Sequence, residues 1–414
     1  MNEPTSKQNS APQAASETKR QASPMPKRGE RPREKASKFA VGYFFGERGG
    51  FTFHDLAEEY APRLKEVYFP WVGLAHGRTP ARMMPDREEH LIDDLQYCRK
   101  HGMKLDLLAN AMCYGEKSFT EEQRKQLTDI IKRLDGLGLY PEIVTTTSPY
   151  VAKVFKLNHP DIEVRASVNM ELRNTIAFEY LAPLFDSFYI CRSVQRDLPT
   201  FRRIADWCKD HGKKLCMLVN SGCVRNCPWH IVHDARVSHD MPSEIYHELA
   251  NQGLDILCNQ LFGLRRRLTE FLRCGWIRPE DVHVFEPDLE TIKLSTRRTD
   301  YAHEIVEAYL NGSYDGNLLH LMDPYHGFGF RPNRVDNKSF PKDWITSGIA
   351  GKCADNCVHC GKCEKILEQV LKYDVNENTR ASDFALSNKI VFLAPKRKIT
   401  DNLSFIPRIK QKQP

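Results

Sequence analysis

The feature that most limits what this chain can fold into is an alternation. Short apolar runs of strand length take turns with longer amphipathic segments. The runs are "FAVGYFF" from Phe39, "EVYFPW" from Glu66, "KLDLLANA" from Lys104, "PEIVTTT" from Pro141, "EVRASV" from Glu163, "SFYICRSV" from Ser187, "KKLCMLVNSG" from Lys213 and "LDILCNQ" from Leu254. Between them, segments such as "REEHLIDDLQYCRKHG" and "LPTFRRIADWCKDHG" repeat apolar residues at three and four and close on His-Gly, a helix stop. Eight strand–helix units in about 240 residues predict a parallel (β/α)8 TIM-type barrel. An open doubly wound sheet alternates too, but no Gly-rich phosphate turn follows the first strand. In a barrel, functional residues belong just past the C-terminal strand ends.

The charge is unevenly placed. Residues 1–38 carry nine Lys or Arg against four Glu, and residues 395–414 carry six against one Asp, so a net +6 chain has a body near −4. The sequence therefore divides into a disordered basic tail (1–38), the barrel (39–335), a small C-terminal segment (336–394) and a second basic tail (395–414). The tails offer an RNA contact, but a basic groove in the body is not implied. No run approaches the roughly 20 apolar residues of a membrane span. The start also has no apolar core of a secretory signal, so a cytoplasmic location is the default.

Thirteen cysteines in such a chain point to metal ligands or core positions rather than disulfides. Cys113 follows "LDLLANA", Cys223 and Cys227 follow "LCMLVNSG", and Cys258 ends "LDIL", so three strands aim four thiols at one mouth. Cys98 and Cys208 fall in helices, Cys216 in a strand and Cys274 in a connection, which is the pattern of buried small hydrophobes. Cys191, after "SFYI", is ambiguous. Beyond Cys227 lie His230, His233, Asp234 and His239, a set suited to zinc or to acid–base work, with His233 and Asp234 the candidates for a role at the substrate. Arg165, Arg173, Arg192 and Arg225, near strand ends, are candidates for binding a carboxylate or phosphate.

The stretches "LLANAMC", "RASVNM", "NSGCVRNCPWHIVHDARVSH", "GWIRPEDVHVFE" and "IVEAYLNGSYDGNLL" resemble the collagenase-like peptidase family, U-32, over roughly residues 39–335. The resemblance implies a barrel-type domain and one four-iron–four-sulfur cluster on Cys113, Cys223, Cys227 and Cys258. It also implies oxygen-independent hydroxylation of a small metabolite or an RNA base. The long cysteine-bearing insertion of the RNA-hydroxylating branch is missing here, which leaves the substrate open.

The C-terminal "KCADNCVHCGKCEK" sets Cys353, Cys357, Cys360 and Cys363 within eleven residues. Four thiolates so spaced can wrap one compact centre, so a second four-iron–four-sulfur cluster is expected, with zinc as the alternative. The following "ILEQVLKY" predicts a short helix packed behind that loop. Two clusters suggest electron flow from a reductase or ferredoxin to the barrel. The leading function is an iron–sulfur oxidoreductase or hydroxylase. A protease of the collagenase-like family and a non-catalytic electron-transfer partner are the alternatives. Neither Gly-x-Ser-x-Gly nor His-Glu-x-x-His occurs.

Overall fold

The computed structural model describes residues 37–47, 49–76, 85–239, 257–258, 261–262, 267–296, 300–346 and 360–374. Eight strands close into an all-parallel barrel in chain order: β1 (Phe39–Gly42), β2 (Glu66–Phe69), β3 (Lys104–Ala109), β4 (Ile143–Thr146), β5 (Glu163–Ala166), β6 (Ser187–Tyr189), β7 (Lys214–Leu218) and β8 (Thr291–Lys293). Closure comes from β1 against β8, with Phe39 opposite Ile292 and Ala40 opposite Lys293. This is the expected (β/α)8 barrel. The basic tails lie outside the described residues, apart from Ser37 and Lys38.

Seven strands fall where the apolar runs predict them. The eighth does not. Residues 257–258, within "LDILCNQ", are helical, and β8 is the three-residue Thr291–Lys293. The equally short β6 stands out because it lies in the apolar run "SFYI", whereas β8 follows Glu290 and ends on Lys293 with no apolar run to mark it.

The helices on the outside are α1 (Phe53–Tyr60), α2 (Pro85–Lys100), α3 (Glu121–Gly136), α4 (Pro149–Asn158), α5 (Thr175–Leu181), α6 (Leu198–Asp210), α7 (His230–Val237) and α8 (Ala302–Asn311). Their boundaries are local chemistry. The Thr120 side chain caps α3 by accepting from Gln123 N–H, and Ser148 and Asn174 cap α4 and α5 in the same way. The His-Gly stops work through Gly102 and Gly212, both left-handed, beyond α2 and α6. The apolar faces of these helices other than α7, whose Ile231 and Val232 are exposed, and the outward faces of the strands form one continuous core. Among the described residues no helix is long and apolar enough to cross a membrane.

The chain beyond α8 returns to the barrel. Strand β9 (Asn333–Val335) pairs antiparallel with β10 (Leu371–Tyr373), and α9 (Lys362–Val370) buries Ile366, Leu367 and Val370 in the main core. Of the helix expected over "ILEQVLKY", Ile366–Val370 is helical within α9, which begins earlier and contains Cys363, while Leu371–Tyr373 is strand β10. The division expected after residue 335 runs between two paired strands.

The bore of the barrel is filled by charge. Arg165 on β5 is wholly buried and grips Glu66 on β2, Nη1 to Oε2 at 2.7 Å and Nη2 to Oε1 at 3.3 Å. Asp106 on β3 stands 3.7 Å from the same guanidinium and accepts from Thr145 Oγ1 at 2.8 Å. Thr291 Oγ1 donates to Glu66 at 2.7 Å, and Arg165 Nε donates to Ser187 Oγ at 3.1 Å. Lys293 places its ammonium 3.7 Å from the centre of the Tyr68 ring, a cation–π contact. Burial works against the Glu66 carboxylate, yet Arg165 and Thr291 hold its pKa below the usual range. For Asp106 burial prevails over Arg165 and Lys293, and the carboxyl is raised to about 6.

Two predictions follow from this bore. Arg165→Met leaves Glu66 buried and uncompensated, and should cost about 3–5 kcal/mol in urea unfolding. Because the unfolded chain ionises Asp106 first, this group removes stability as pH rises from about 4 to about 6 and contributes no further change above that. Asp106→Asn should therefore flatten that decline relative to the unaltered chain. An identical decline in both would place the titrating group elsewhere.

Candidate active site at the barrel mouth

The C-terminal ends of β5, β6 and β7 bring together a connected set of side chains. After β5 a short turn, Val168–Met170, ends on Glu171, which holds a left-handed backbone at φ 53°. That is an uncommon state for a residue with a Cβ, of the kind that clusters at functional sites. Past β6 come Cys191 and Arg192, and past β7 comes Cys223. The loop carrying Cys223 is held from below. Asn220 Nδ2 donates to Ser295 O and Leu321 O, both at 2.9 Å, and Ser295 N–H donates back to Asn220 Oδ1 at 2.7 Å. A Cβ on Gly222 would stand 2.5 Å from Pro324 O, so only glycine lets the loop approach so closely.

Arg192, 4% exposed, is the hub. Its guanidinium lies 3.2 Å from Glu171 Oε1, 3.6 Å from Cys223 Sγ and 3.9 Å from Asp234 Oδ2, and it also contacts His230 Nε2. His230 and Asp234 are one turn apart on α7, with Nε2 2.8 Å from Oδ2. Cys191 Sγ donates to Glu171 Oε2 at 2.9 Å, so the ambiguous cysteine does touch this group. Burial and then Glu171 push its thiol up to about 11. Arg173, at the rim, pairs with Glu171 at 3.2 Å.

The cysteines sort by electrostatic reach. Burial raises the Cys227 thiol, and Cys223 raises it further. Burial raises Cys274 well above the ordinary thiol value, with Cys223 and Cys258 both adding to the shift. Cys223 is thus within electrostatic reach of Cys227 and of Cys274, and Cys258 is within reach of Cys274. Cys274, expected as a buried small hydrophobe, is fully buried, and its Sγ donates to Glu270 O at 3.4 Å.

Cys113 is placed differently. Its Sγ accepts from Gly115 N–H in its own loop at 3.5 Å. The adjacent Met112 N–H donates to Ser238 Oγ at 2.9 Å, just past the end of α7. His230 and Ser238 are separated by about 12 Å of helix at 1.5 Å per residue, so this loop adjoins the far end of α7. His233 sits half-buried on the same helix, and His239 is exposed beyond it. Arg165, expected at the mouth, is instead committed to the bore. Cys98, Cys208 and Cys216 are buried as expected. At the C-terminal segment Cys360 is exposed and Cys363 half-buried in α9, while Cys353 and Cys357 lie outside the described residues.

Among the described residues, no three His, Cys, Asp or Glu side chains are drawn together tightly enough to grip a single metal ion. A cubane cluster needs a wider cradle of soft donors, each thiolate meeting a different iron corner. The neighbouring thiols of Cys223, Cys227, Cys258 and Cys274 have the donor chemistry for it. Sequence reasoning missed Glu171 because nothing in "VNMELRN" announces a left-handed glutamate.

No family model matches the chain. An uncharacterized protease of Methanocaldococcus jannaschii is 25% identical over 321 residues, covering 74% of this chain and 90% of that protein. Among solved structures, a U32 peptidase aligns at 13% identity over 64% of this chain and 96% of that one, with a TM-score of 0.42. A dipeptide epimerase from Methylococcus capsulatus, complexed with a magnesium ion, aligns at 16% identity over 49% of this chain and 52% of that one, with a TM-score of 0.29.

The burial pattern predicts an alkylation order. In the folded chain stripped of metal, iodoacetamide should modify the exposed Cys360 before the buried thiols. Cys98, Cys208 and Cys216, whose thiols burial pushes upward, should react only after unfolding. Peptide mass spectrometry reads the order, and prompt native labelling of Cys216 would contradict the packing of the bore.

Proposed function

We propose that this chain, of the U-32 peptidase family, is an iron–sulfur oxidoreductase acting at the barrel mouth on a small metabolite or an RNA base, with oxygen-independent hydroxylation as the reaction class. The observation that carries the reading is the Cys223 sulfur 3.6 Å from buried Arg192 at the barrel mouth, with Cys227 and Cys274 within electrostatic reach of it and Cys258 within reach of Cys274. These four would hold a four-iron–four-sulfur cluster, which would supply one-electron transfer there. The ligand set differs from the one implied by the resemblance in taking Cys274 in place of Cys113.

The chain's own groups have separate tasks. Arg192 ties the Cys223 sulfur to Glu171 and so fixes the loop relative to β5 and β6. The His230–Asp234 pair can hold or release a proton at Nε2 within contact of Arg192. The Glu171 and Asp234 carboxylates beside the cysteines favour a metabolite over an RNA backbone, which would seek a basic mouth. Cys360 and Cys363, with Cys353 and Cys357, would hold a second cluster, or zinc. A second cluster would take electrons from a reductase or ferredoxin.

Proteolysis is the second reading, favoured by the name of the curated relative and by the His230–Asp234 pair. A cysteine protease needs a thiol made easier to ionise. Here burial raises Cys191 and Cys227 instead.

Iron counting across variants tests the proposal. Anaerobically isolated chain should hold about eight irons, four for each cubane. Alanine at Cys223, Cys227, Cys258 or Cys274 should each remove about half the iron, while Cys113→Ala keeps it all. Loss of iron from Cys113→Ala with none from Cys274→Ala would restore the ligand set implied by the resemblance. A full set of active variants without iron, cleaving casein, would favour the protease.

A further inference from the structure

A second concavity opens at the same mouth, away from the cysteine neighbourhood. It lies between the loop after β2 (Gly73 to His76), the loop after β3 (Tyr114 and Lys117), the first turns of α3 (Gln123 and Gln126) and the end of α7 (Ser238 and His239). Its volume, about 240 Å³, is just under the range typical of ligand pockets and suits a single ring or a short chain.

The lining is rich in donors. Lys117, Gln123, Gln126 and His239 line it, and among the described residues no carboxylate does. Gln123 is 3% exposed, and its Nε2 has no hydrogen-bond partner. The orientation of that amide is fixed by chemistry: Phe119 N–H donates to Oε1 at 3.1 Å, so the other end must be the NH2. Leaving such a donor buried without an acceptor costs about 1–3 kcal/mol. By contrast Gln126 spends its Nε2 on Gly73 O at 2.6 Å and so ties the α3 wall to the β2 loop. Lys117 pairs with Glu122 at 2.9 Å, with both side chains more than half exposed, so a ligand carboxylate can take the place of Glu122 at little cost.

We propose that this cavity binds a small organic monocarboxylate, one oxygen accepting from Gln123 Nε2 and the anionic end facing Lys117. Glu121 and Glu122 in the first turn of α3 disfavour a phosphate dianion in the same place. The inference stands apart from the cluster reading, because binding can be measured whether or not iron is present.

The test is titration of the full chain with sodium benzoate, with inorganic phosphate as the comparison, followed by calorimetry or by ligand-observed NMR. Benzoate should saturate the unaltered chain in the millimolar range and bind more tightly than phosphate. Gln123→Glu keeps the acceptor for Phe119 N–H but replaces the donor with a negative charge, and should weaken benzoate at least tenfold. Lys117→Glu, at an exposed position that cannot disturb the core, should do the same and decides the matter if Gln123→Glu fails to fold. Failure of benzoate to saturate, equal affinity in Lys117→Glu and the unaltered chain, or tighter binding of phosphate overturns the proposal.

Discussion

Everything at the mouth rests on the ion pair between Arg165 and Glu66 inside the bore. Most barrels fill that space with branched apolar residues in layers. Here the layer is a salt bridge with satellites on β3, β4, β6 and β8: Asp106, Thr145, Ser187, Thr291 and Lys293. A buried pair of this sort adds little net stability, because each charge is costly to desolvate. It demands specific partners, however. A slip of one residue in β5 would turn Arg165 outward and leave Glu66 alone. The network therefore fixes strand register, and with it the height at which Glu171, Arg192 and Cys223 emerge.

Helix α7 is the second organising element. Its first turn carries His230 and Asp234 to Arg192, and the residues just past its end, Ser238 and His239, reach the loop of Cys113 and the donor-lined cavity. One short helix thus joins a thiol-rich neighbourhood to a concavity of ligand size. It also explains why the mouth has two characters, soft donors at one side and amide and amine donors at the other.

Much of this was legible in the sequence. Period and strand spacing give the barrel because each of the first seven runs is long enough to show its pattern, and the His-Gly stops act through left-handed glycines as read. The eighth strand was misplaced because Thr291–Lys293, preceded by Glu290 and ending on a lysine, has no apolar run to mark it, while "LDILCNQ" has one and is helical at residues 257–258. The site was legible by residue type but not by set. Strand-end position picks out Cys113, Cys223 and Cys227, and the structure sets the Cys113 loop beside the end of α7. It does not pick out Cys274, which lies in a connection and is electrostatically coupled to Cys223 and Cys258. Arg165 was offered as a mouth residue because sequence cannot say that the bore itself is ionic.

The most direct test of the account's central claim, that Cys223, Cys227, Cys258 and Cys274 form one cradle, is a low-temperature EPR spectrum. The sample is anaerobic, dithionite-reduced chain in which Cys353, Cys357, Cys360 and Cys363 are all alanine, so that only the mouth can contribute. The account predicts the signal of a single reduced four-iron–four-sulfur cluster, abolished by the further change Cys274→Ala and kept with Cys113→Ala. An EPR-silent, iron-free sample that still has the barrel's circular dichroism would contradict it.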